Sequence, residues 1–153
     1  MTDYRRVACA ALAIAAATWV ALLVTAPLTA AVAAPVGGWL YAVGSLICHQ
    51  RPERSFHLGS AQLPVCARCL GLYAGGAAGA ISWAIASRRV RRVWPARSAV
   101  IALAVTGAPT AVTAIAASLA LGDPSNAWRA TLAVPLGAVG GLVAGALTTD
   151  HLK

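Results

Sequence analysis

The sequence predicts an all-α integral membrane protein with four transmembrane helices and one short re-entrant or interfacial helix. Of its 153 residues, 59% are hydrophobic and 10% are charged, whereas soluble globular domains carry about 25% charged residues. Its mean hydropathy is +0.74. The net charge of +8 is concentrated in short stretches between apolar runs of about twenty residues, the length that spans a bilayer. The composition therefore predicts one membrane domain over residues 1–153 and argues against a nucleic-acid-binding module.

Four apolar runs are long enough to span the membrane, and none of them contains Asp, Glu or Lys. They cover residues 7–26, 69–86, 98–121 and 128–149. A shorter apolar stretch, residues 36–47, has too few residues to cross a bilayer. We therefore predict that this stretch is the re-entrant or interfacial helix, and that residues 48–69 form a loop before the second span.

The distribution of basic residues predicts the orientation of the four spans. With the N-terminus inside, eight of the twelve basic residues are cytoplasmic and four are outside, in agreement with the positive-inside rule. The cytoplasmic residues are Arg5, Arg6, Arg88, Arg89, Arg91, Arg92, Arg97 and Lys153. The outer residues are Arg51, Arg54, Arg68 and Arg129. A cell-membrane protein with both termini cytoplasmic is therefore predicted, because a fifth span over residues 28–47 would reverse the bias.

The first apolar run also has features of a secretory signal peptide. Arg5 and Arg6 precede it, and Ala31-Val32-Ala33 has the small-residue pattern of a cleavage site. The run is longer than the 7–15 residues usual for the apolar part of such signals. A helix retained in the protein is therefore favoured over a cleaved signal.

Glycine repeats every four residues in the second and fourth spans, which places each set on one face of its helix. The six positions are Gly71, Gly75, Gly79, Gly137, Gly141 and Gly145. Helices in lipid associate largely through close backbone packing along such small-residue faces. The pattern predicts that these two spans pack on each other or form a homo-oligomer, in preference to lining a ligand groove.

The loop between the short helix and the second span holds three of the four cysteines and two of the three histidines. Cys66 and Cys69 form a CxxC pattern at the start of a helix, where the helix dipole favours thiolates. Cys48 and His49 could complete a Cys₃His tetrahedron around zinc, and His57 is the rival fourth ligand. This cluster predicts a metal site.

Two other interpretations of the cysteines stay open. Cys66 and Cys69 could form a structural or redox-active disulfide in an oxidising outer compartment, or the thiols could be packed as small apolar groups. A c-type haem attachment is excluded, because Leu70 stands where that motif requires histidine. Cys9 lies near the inner end of the first span and is predicted to be a packing residue.

Arginines flank the cysteines on both sides. Arg51, Arg54 and Arg68 have Glu53 as the only carboxylate nearby in the sequence. One arginine could pair with Glu53, while the others stabilise thiolates, contact anionic headgroups or bind an acidic ligand. Gln50, Arg54 and Arg68 are the candidates for contacting a ligand or supporting the metal ligands.

The strings CHQRPERSF and LPVCARCLGLYAGG resemble the conserved region of a domain-of-unknown-function family, numbered twenty eighty-five, of small predicted bacterial and archaeal membrane proteins. The resemblance is specific over residues 48–75. It covers Cys48, His49, Gln50, Arg54, Ser55, Phe56, Pro64, Cys66, Arg68, Cys69, Gly71 and Tyr73. The family implies a membrane protein and carries no established activity.

The resemblance also bears on His57 and on two elements farther along the chain. The family varies at His57, which favours His49 as the fourth ligand. Asn126 and Arg129 match an Asn-x-x-Arg element before the last span. The family places an Asp-Gly pair after a proline in the third span, but no acidic residue follows Pro109 here. A role that needs that carboxylate is therefore not expected of this chain.

These observations lead to one main hypothesis and two alternatives. The main hypothesis is a polytopic membrane protein with a zinc site of Cys48, His49, Cys66 and Cys69 at its outer face. The first alternative is a membrane thiol–disulfide oxidoreductase or electron-transfer partner that uses the CxxC pair. The second is a small transporter or a subunit of a membrane complex, although the spans lack the ionisable residues typical of ion pathways. The sequence leaves open whether the protein is an enzyme.

Overall fold

A computed structural model describes residues 3–87 and 94–152 of the chain. The described residues form five α-helices, one short 3-10 helix (Pro52–Arg54) and one two-stranded hairpin, which confirms the predicted helical membrane class. The elements are α1 (Asp3–Val32), α2 (Ala34–Ile47), β1 (Ser55–Leu58), β2 (Ala61–Cys66), α3 (Ala67–Ala86), α4 (Ala96–Ser118) and α5 (Asn126–Thr148). Helices α1, α3, α4 and α5 are long and apolar enough to cross a membrane. Lys153 and the arginines at positions 88, 89, 91 and 92 lie outside the described residues.

Helices α3 and α5 run parallel and pack closely along their glycine faces. A Cβ added at Gly71 would overlap the carbonyl oxygen of Ala130, and one at Gly79 would overlap that of Ala138. Gly137 has the same relation to the backbone of α3, at Leu72. Because no side chain separates the two backbones, the glycine faces meet within one chain. These faces therefore offer no separate support for a homo-oligomer.

Helix α1 runs antiparallel to α3 and fixes the depth of the cysteine-containing loop. Trp19 packs edge-on against Tyr73, with ring centroids 6.1 Å apart. Leu23 is fully buried in a cluster with Cys48 and Val65. We name this end of the bundle, where α3 and α5 begin, the cysteine end. Cys9 is buried at the opposite end against Trp83, far from the other cysteines.

Helix α1 extends beyond the cysteine end before the chain reverses into α2. Val32 is nine residues past Leu23, about 13 Å along the helix axis. Helix α2 then returns along the last turns of α1, with Gly37 against the backbone of Ala30. The predicted short helix is therefore the second arm of a helical hairpin, and it delivers Cys48 to the level of α3.

The loop between α2 and α3 contains a β-hairpin, which the sequence interpretation treated only as a loop. Strands β1 and β2 are antiparallel, with His57 opposite Gln62 and Leu58 opposite Ala61. The two-residue turn begins at Gly59, whose φ of +64° favours glycine. The hairpin holds β2 against α1, so that β2 ends with Cys66 at the first turn of α3.

Candidate metal centre

Cys48 reaches the centre because α2 ends immediately before it. Its backbone is extended, and its N–H group donates to the Gly44 carbonyl oxygen at 2.9 Å. The side chain is buried against Leu23 and Val65. The end of α2 and the packing of α1 together therefore fix the Cys48 thiol.

Cys66 and Cys69 are positioned by the junction of β2 with α3. Cys66 is the N-cap residue of α3, and Cys69 follows in the first helical turn. The backbone N–H of Cys66 donates to the Cys48 sulfur at 3.2 Å, which links the two segments. The sulfurs of Cys48, Cys66 and Cys69 all lie within 4.8 Å of one another. The fold thus brings three of the predicted ligands together, and we call them the thiol cluster.

The thiol cluster favours the charged form of Cys66. The Cys69 side chain hydrogen-bonds to the Cys66 sulfur and lowers the pKa of Cys66, with a smaller contribution from Cys48, while burial acts in the opposite direction. Thiolates are both the nucleophilic and the metal-binding form of cysteine. The geometry therefore supplies at least one sulfur that is ready to bind a cation or attack a disulfide.

The two histidines near the cluster do not join it. His49 is exposed and lines an open cavity beside the cluster, and His57 is exposed on β1. Among the described residues, the possible metal ligands that lie within 4.8 Å of one another are the three sulfurs, and neither imidazole is one of them. Cys48 is extended, and consecutive side chains on an extended backbone point in opposite directions. This backbone conformation accounts for Cys48 joining the cluster while the neighbouring His49 stays outside it.

Gln50 links the two segments that carry the cysteines. Its side-chain amide donates to the backbone carbonyls of Tyr41 and Pro64, each at 2.7 Å. The Gln62 amide in turn donates to the Gln50 carbonyl at 2.6 Å. Gln50 was a candidate for contacting a ligand, and the structure uses its amide nitrogen to join α2 to β2.

An ion-pair network that the sequence interpretation missed anchors the hairpin to α5. Arg54 pairs with Asp123 at 3.3 Å, and Asp123 also pairs with the buried Arg129. The hydrogen bond from Arg129 lowers the pKa of Asp123. Asn126 accepts from Arg129 at 2.8 Å and donates to the Ser55 carbonyl at 3.0 Å. The carboxylate bound to Arg54 is thus Asp123 and not the neighbouring Glu53, which is exposed.

A cavity of about 320 Å³ opens beside the thiol cluster. Its wall includes all three sulfur-bearing residues together with Ile47, His49, Gln50, Arg51, Arg54 and Arg68. Arg68 lies in the first turn of α3 and donates to the Thr113 hydroxyl at 3.4 Å. The Nε atoms of Arg54 and Arg68 are buried and have no hydrogen-bond partner within the described residues. The wall is therefore rich in cationic donors, and none of the described residues that line it is acidic.

One known protein family matches the part of the chain that contains the cysteines and the glycine faces. The family of predicted membrane proteins known as DUF2085 matches residues 48–145. The chain belongs to the DUF2085 family. The matched region begins at Cys48 and ends at Gly145 in α5, so the DUF2085 match contains the thiol cluster and both glycine faces. Helices α1 and α2 lie entirely before it.

Two curated archaeal relatives also match the chain. An uncharacterized protein of Methanocaldococcus jannaschii is 42% identical over 72 residues, which are 44% of this chain and 46% of the relative. An uncharacterized protein of Methanothermobacter thermautotrophicus is 52% identical over 29 residues, 19% of this chain and 26% of the relative. The chain spans less than half the length of either relative. No solved structure matches.

Proposed function

We propose that this DUF2085 protein binds zinc through Cys48, Cys66 and Cys69. The observation that carries the proposal is the convergence of these sulfurs from two separate segments, the end of α2 and the start of α3, to within 4.8 Å. Sulfurs bound to one tetrahedral zinc lie about 3.8 Å apart, given Zn–S bonds of about 2.3 Å. The three sulfurs therefore already lie near the spacing that one zinc ion requires.

The donor set also restricts the class of metal. Thiolates select zinc, copper(I) and iron–sulfur chemistry over magnesium or calcium, which prefer oxygen ligands. The cluster has three sulfurs on a rigid helix start and a packed helix end, an arrangement typical of a tetrahedral zinc site. A metal here would join α2, β2 and α3, so part of its role is to hold the hairpin in place.

The fourth zinc ligand is His49 in this proposal. His49 is adjacent to Cys48 in the chain and already lines the cavity, and its exposed imidazole would turn inward to complete the site. His57 is held by the β1–β2 pairing opposite Gln62, is exposed and is not among the residues that line the cavity. A ligand set of Cys48, His49, Cys66 and Cys69 is therefore favoured over one that includes His57.

The distribution of charge supports a position of the proposed site at the outer face of the cell membrane. Arg5, Arg6 and Arg97 lie at the end of the bundle opposite the thiol cluster. Four further arginines, at positions 88, 89, 91 and 92, lie in the sequence between α3 and α4. Because basic residues are retained on the cytoplasmic side, this distribution supports cytoplasmic termini and an outward-facing zinc site.

The test is the metal content of the full chain purified in detergent without chelators. We expect about one zinc per chain in the wild type, and none in the Cys66→Ser variant. Cys9→Ser is the matched control, because Cys9 is a buried cysteine at the opposite end of the bundle. It should retain the metal of the wild type. Metal-free wild-type protein, or equal metal in Cys66→Ser and Cys9→Ser, would contradict the proposal.

A second candidate function is thiol–disulfide exchange. It is favoured by the position of Cys66 and Cys69 on the wall of an open cavity, with their side chains in hydrogen-bonding contact. One sulfur would attack a disulfide of a partner, and the other would release it as a dithiol while a Cys66–Cys69 disulfide forms. Mass shifts after alkylation, measured with and without reductant, separate the two functions. A reductant-dependent gain of two alkylated cysteines supports exchange, and no change counts against it.

A further inference from the structure

The cavity beside the thiol cluster carries more positive charge than the described structure balances. Arg51, Arg54 and Arg68 all line it. Asp123 is the acid that pairs with Arg54, and it is shared with the buried Arg129. Among the described residues, Arg68 donates to the neutral hydroxyl of Thr113. The cavity wall therefore keeps a net positive charge.

A bound metal would not remove this excess. Three thiolates around a divalent ion carry one net negative charge, fewer than the positive charges of the three arginines on the wall. A neutral histidine as fourth ligand would leave that charge unchanged. The positive cavity is thus independent of whether the proposed zinc is present.

Two buried donors point to the missing partner. The Nε atoms of Arg54 and Arg68 are each inaccessible to solvent and lack an acceptor among the described residues. An unsatisfied buried donor costs about 1–3 kcal/mol, and more when it is charged. Both residues line the same cavity. One ligand with several acceptor oxygens would satisfy both guanidinium groups once they turn from their buried positions toward the cavity.

The surroundings define the chemistry of that ligand. Arginine forms forked, charge-assisted hydrogen bonds to phosphate oxygens. The start of α3 adds the positive end of a 20-residue helix, whose N-cap residue makes no side-chain capping bond. A volume of about 320 Å³ is at the lower end of the range for small-molecule pockets. This volume suits a phosphate group with a small substituent.

We propose that the cavity binds a phosphate oxyanion between Arg54 and Arg68, directly beside the thiol cluster. The phosphate could belong to a soluble ion or to an anionic lipid headgroup, since the cavity lies where α3 and α5 begin. This anion site goes beyond the proposed zinc site, and its binding is measured separately from metal content.

The experiment is calorimetric titration of the detergent-purified full chain with two probes. One probe is inorganic phosphate, and the other is a short-chain phosphatidylglycerol below its critical micelle concentration, with the matching phosphatidylcholine as control. We expect saturable binding of phosphate or of phosphatidylglycerol. Saturation by inorganic phosphate identifies a soluble oxyanion, and saturation by phosphatidylglycerol alone identifies a lipid headgroup.

Variants assign the binding to the proposed residues. Loss of one charge-assisted contact in Arg68→Gln or Arg54→Gln should weaken binding by roughly 10- to 100-fold. Arg68→Lys keeps the charge and should retain part of the affinity, which guards against a folding defect. Arg97→Gln, at the opposite end of the bundle, should bind like the wild type. Absence of saturable binding by either probe, or equal affinity in Arg68→Gln and Arg97→Gln, would overturn the inference.

Metal content measured on the same samples keeps the two proposals apart. Wild-type protein that holds zinc but binds neither probe would refute the anion site alone. Wild-type protein that binds phosphate without zinc would support the anion site and refute the zinc proposal.

Discussion

The contact between α3 and α5 predicts that one glycine can be replaced at little cost and another cannot. A Cβ at Gly75 would overlap the Val134 carbonyl oxygen and come within 2.9 Å of the Ala138 backbone nitrogen. Gly140 has no atom within 4 Å of the same position. Both residues are inside helices. Gly75→Ala and Gly140→Ala therefore differ in packing and share the same gain in helix propensity.

The magnitude follows from that comparison. Forcing an extra carbon into a packed contact costs typically about 1–3 kcal/mol, and here the opposing atoms are backbone, which cannot rotate away. Replacing glycine by alanine inside a helix contributes about 0.8–1 kcal/mol in favour of either variant. We expect Gly140→Ala to be neutral or slightly stabilising, and Gly75→Ala to have a free energy of unfolding about 1–3 kcal/mol below that of Gly140→Ala.

The assay is reversible unfolding of the full chain in mixed micelles, with increasing sodium dodecyl sulfate and helicity followed by circular dichroism. The difference between the two variants is the relevant quantity, because the propensity gain cancels. Equal free energies of unfolding for Gly75→Ala and Gly140→Ala would refute the close backbone packing described for α3 and α5.

Three further predictions concern the residues around the thiol cluster. His49→Ala should weaken zinc binding in competition with a chromophoric chelator by at least tenfold, whereas His57→Ala should not; the reverse order would make His57 the ligand. The Arg129 hydrogen bond holds the pKa of Asp123 below its ordinary value, so Asp123 stabilises the fold above its unfolded-state pKa, and this contribution is lost as the pH falls through the lowered value. Asp123→Asn should therefore flatten the loss of thermal stability below about pH 5, and an unchanged acid profile would contradict that role. Gln50→Leu leaves two backbone carbonyls without their donor and should lower the free energy of unfolding by about 1–3 kcal/mol, and wild-type stability in detergent unfolding would count against this role of Gln50.

The spans could be predicted from sequence because a bilayer imposes a length on every apolar helix. The four predicted spans each correspond to a helix long and apolar enough to cross a membrane. The first helix is the largest difference, since it runs over Asp3–Val32 and not only over residues 7–26. Apolar residues continue past Pro27, and α2 packs against this last part of α1. Packing between the two arms, which hydropathy does not report, therefore sets where the helix ends.

The cysteines were predictable as a group, whereas their supports were not. Spacing alone places Cys66 and Cys69 on one helical turn, and the chemistry of Cys48 suggested that it would join them. The partnership of Arg54 with Asp123 depends on how the hairpin meets α5, and no local pattern encodes that contact. The Asn126-x-x-Arg129 element was the one available signal for this network.

The placement of His49 shows a further limit of reasoning from adjacency. A histidine next to Cys48 in sequence is close to the cluster, but the extended backbone there sends consecutive side chains in opposite directions. Sequence neighbours are therefore not automatically neighbours in a coordination sphere. In the zinc proposal His49 turns inward to become the fourth ligand.

X-ray absorption at the zinc edge of the full-length wild-type protein tests the central claim most directly, because it counts the atoms bound to the metal. Three sulfurs at about 2.3 Å and one nitrogen at about 2.0 Å are predicted. A coordination shell of oxygen and nitrogen without sulfur, in protein that holds zinc, would show that the thiol cluster is not the metal site.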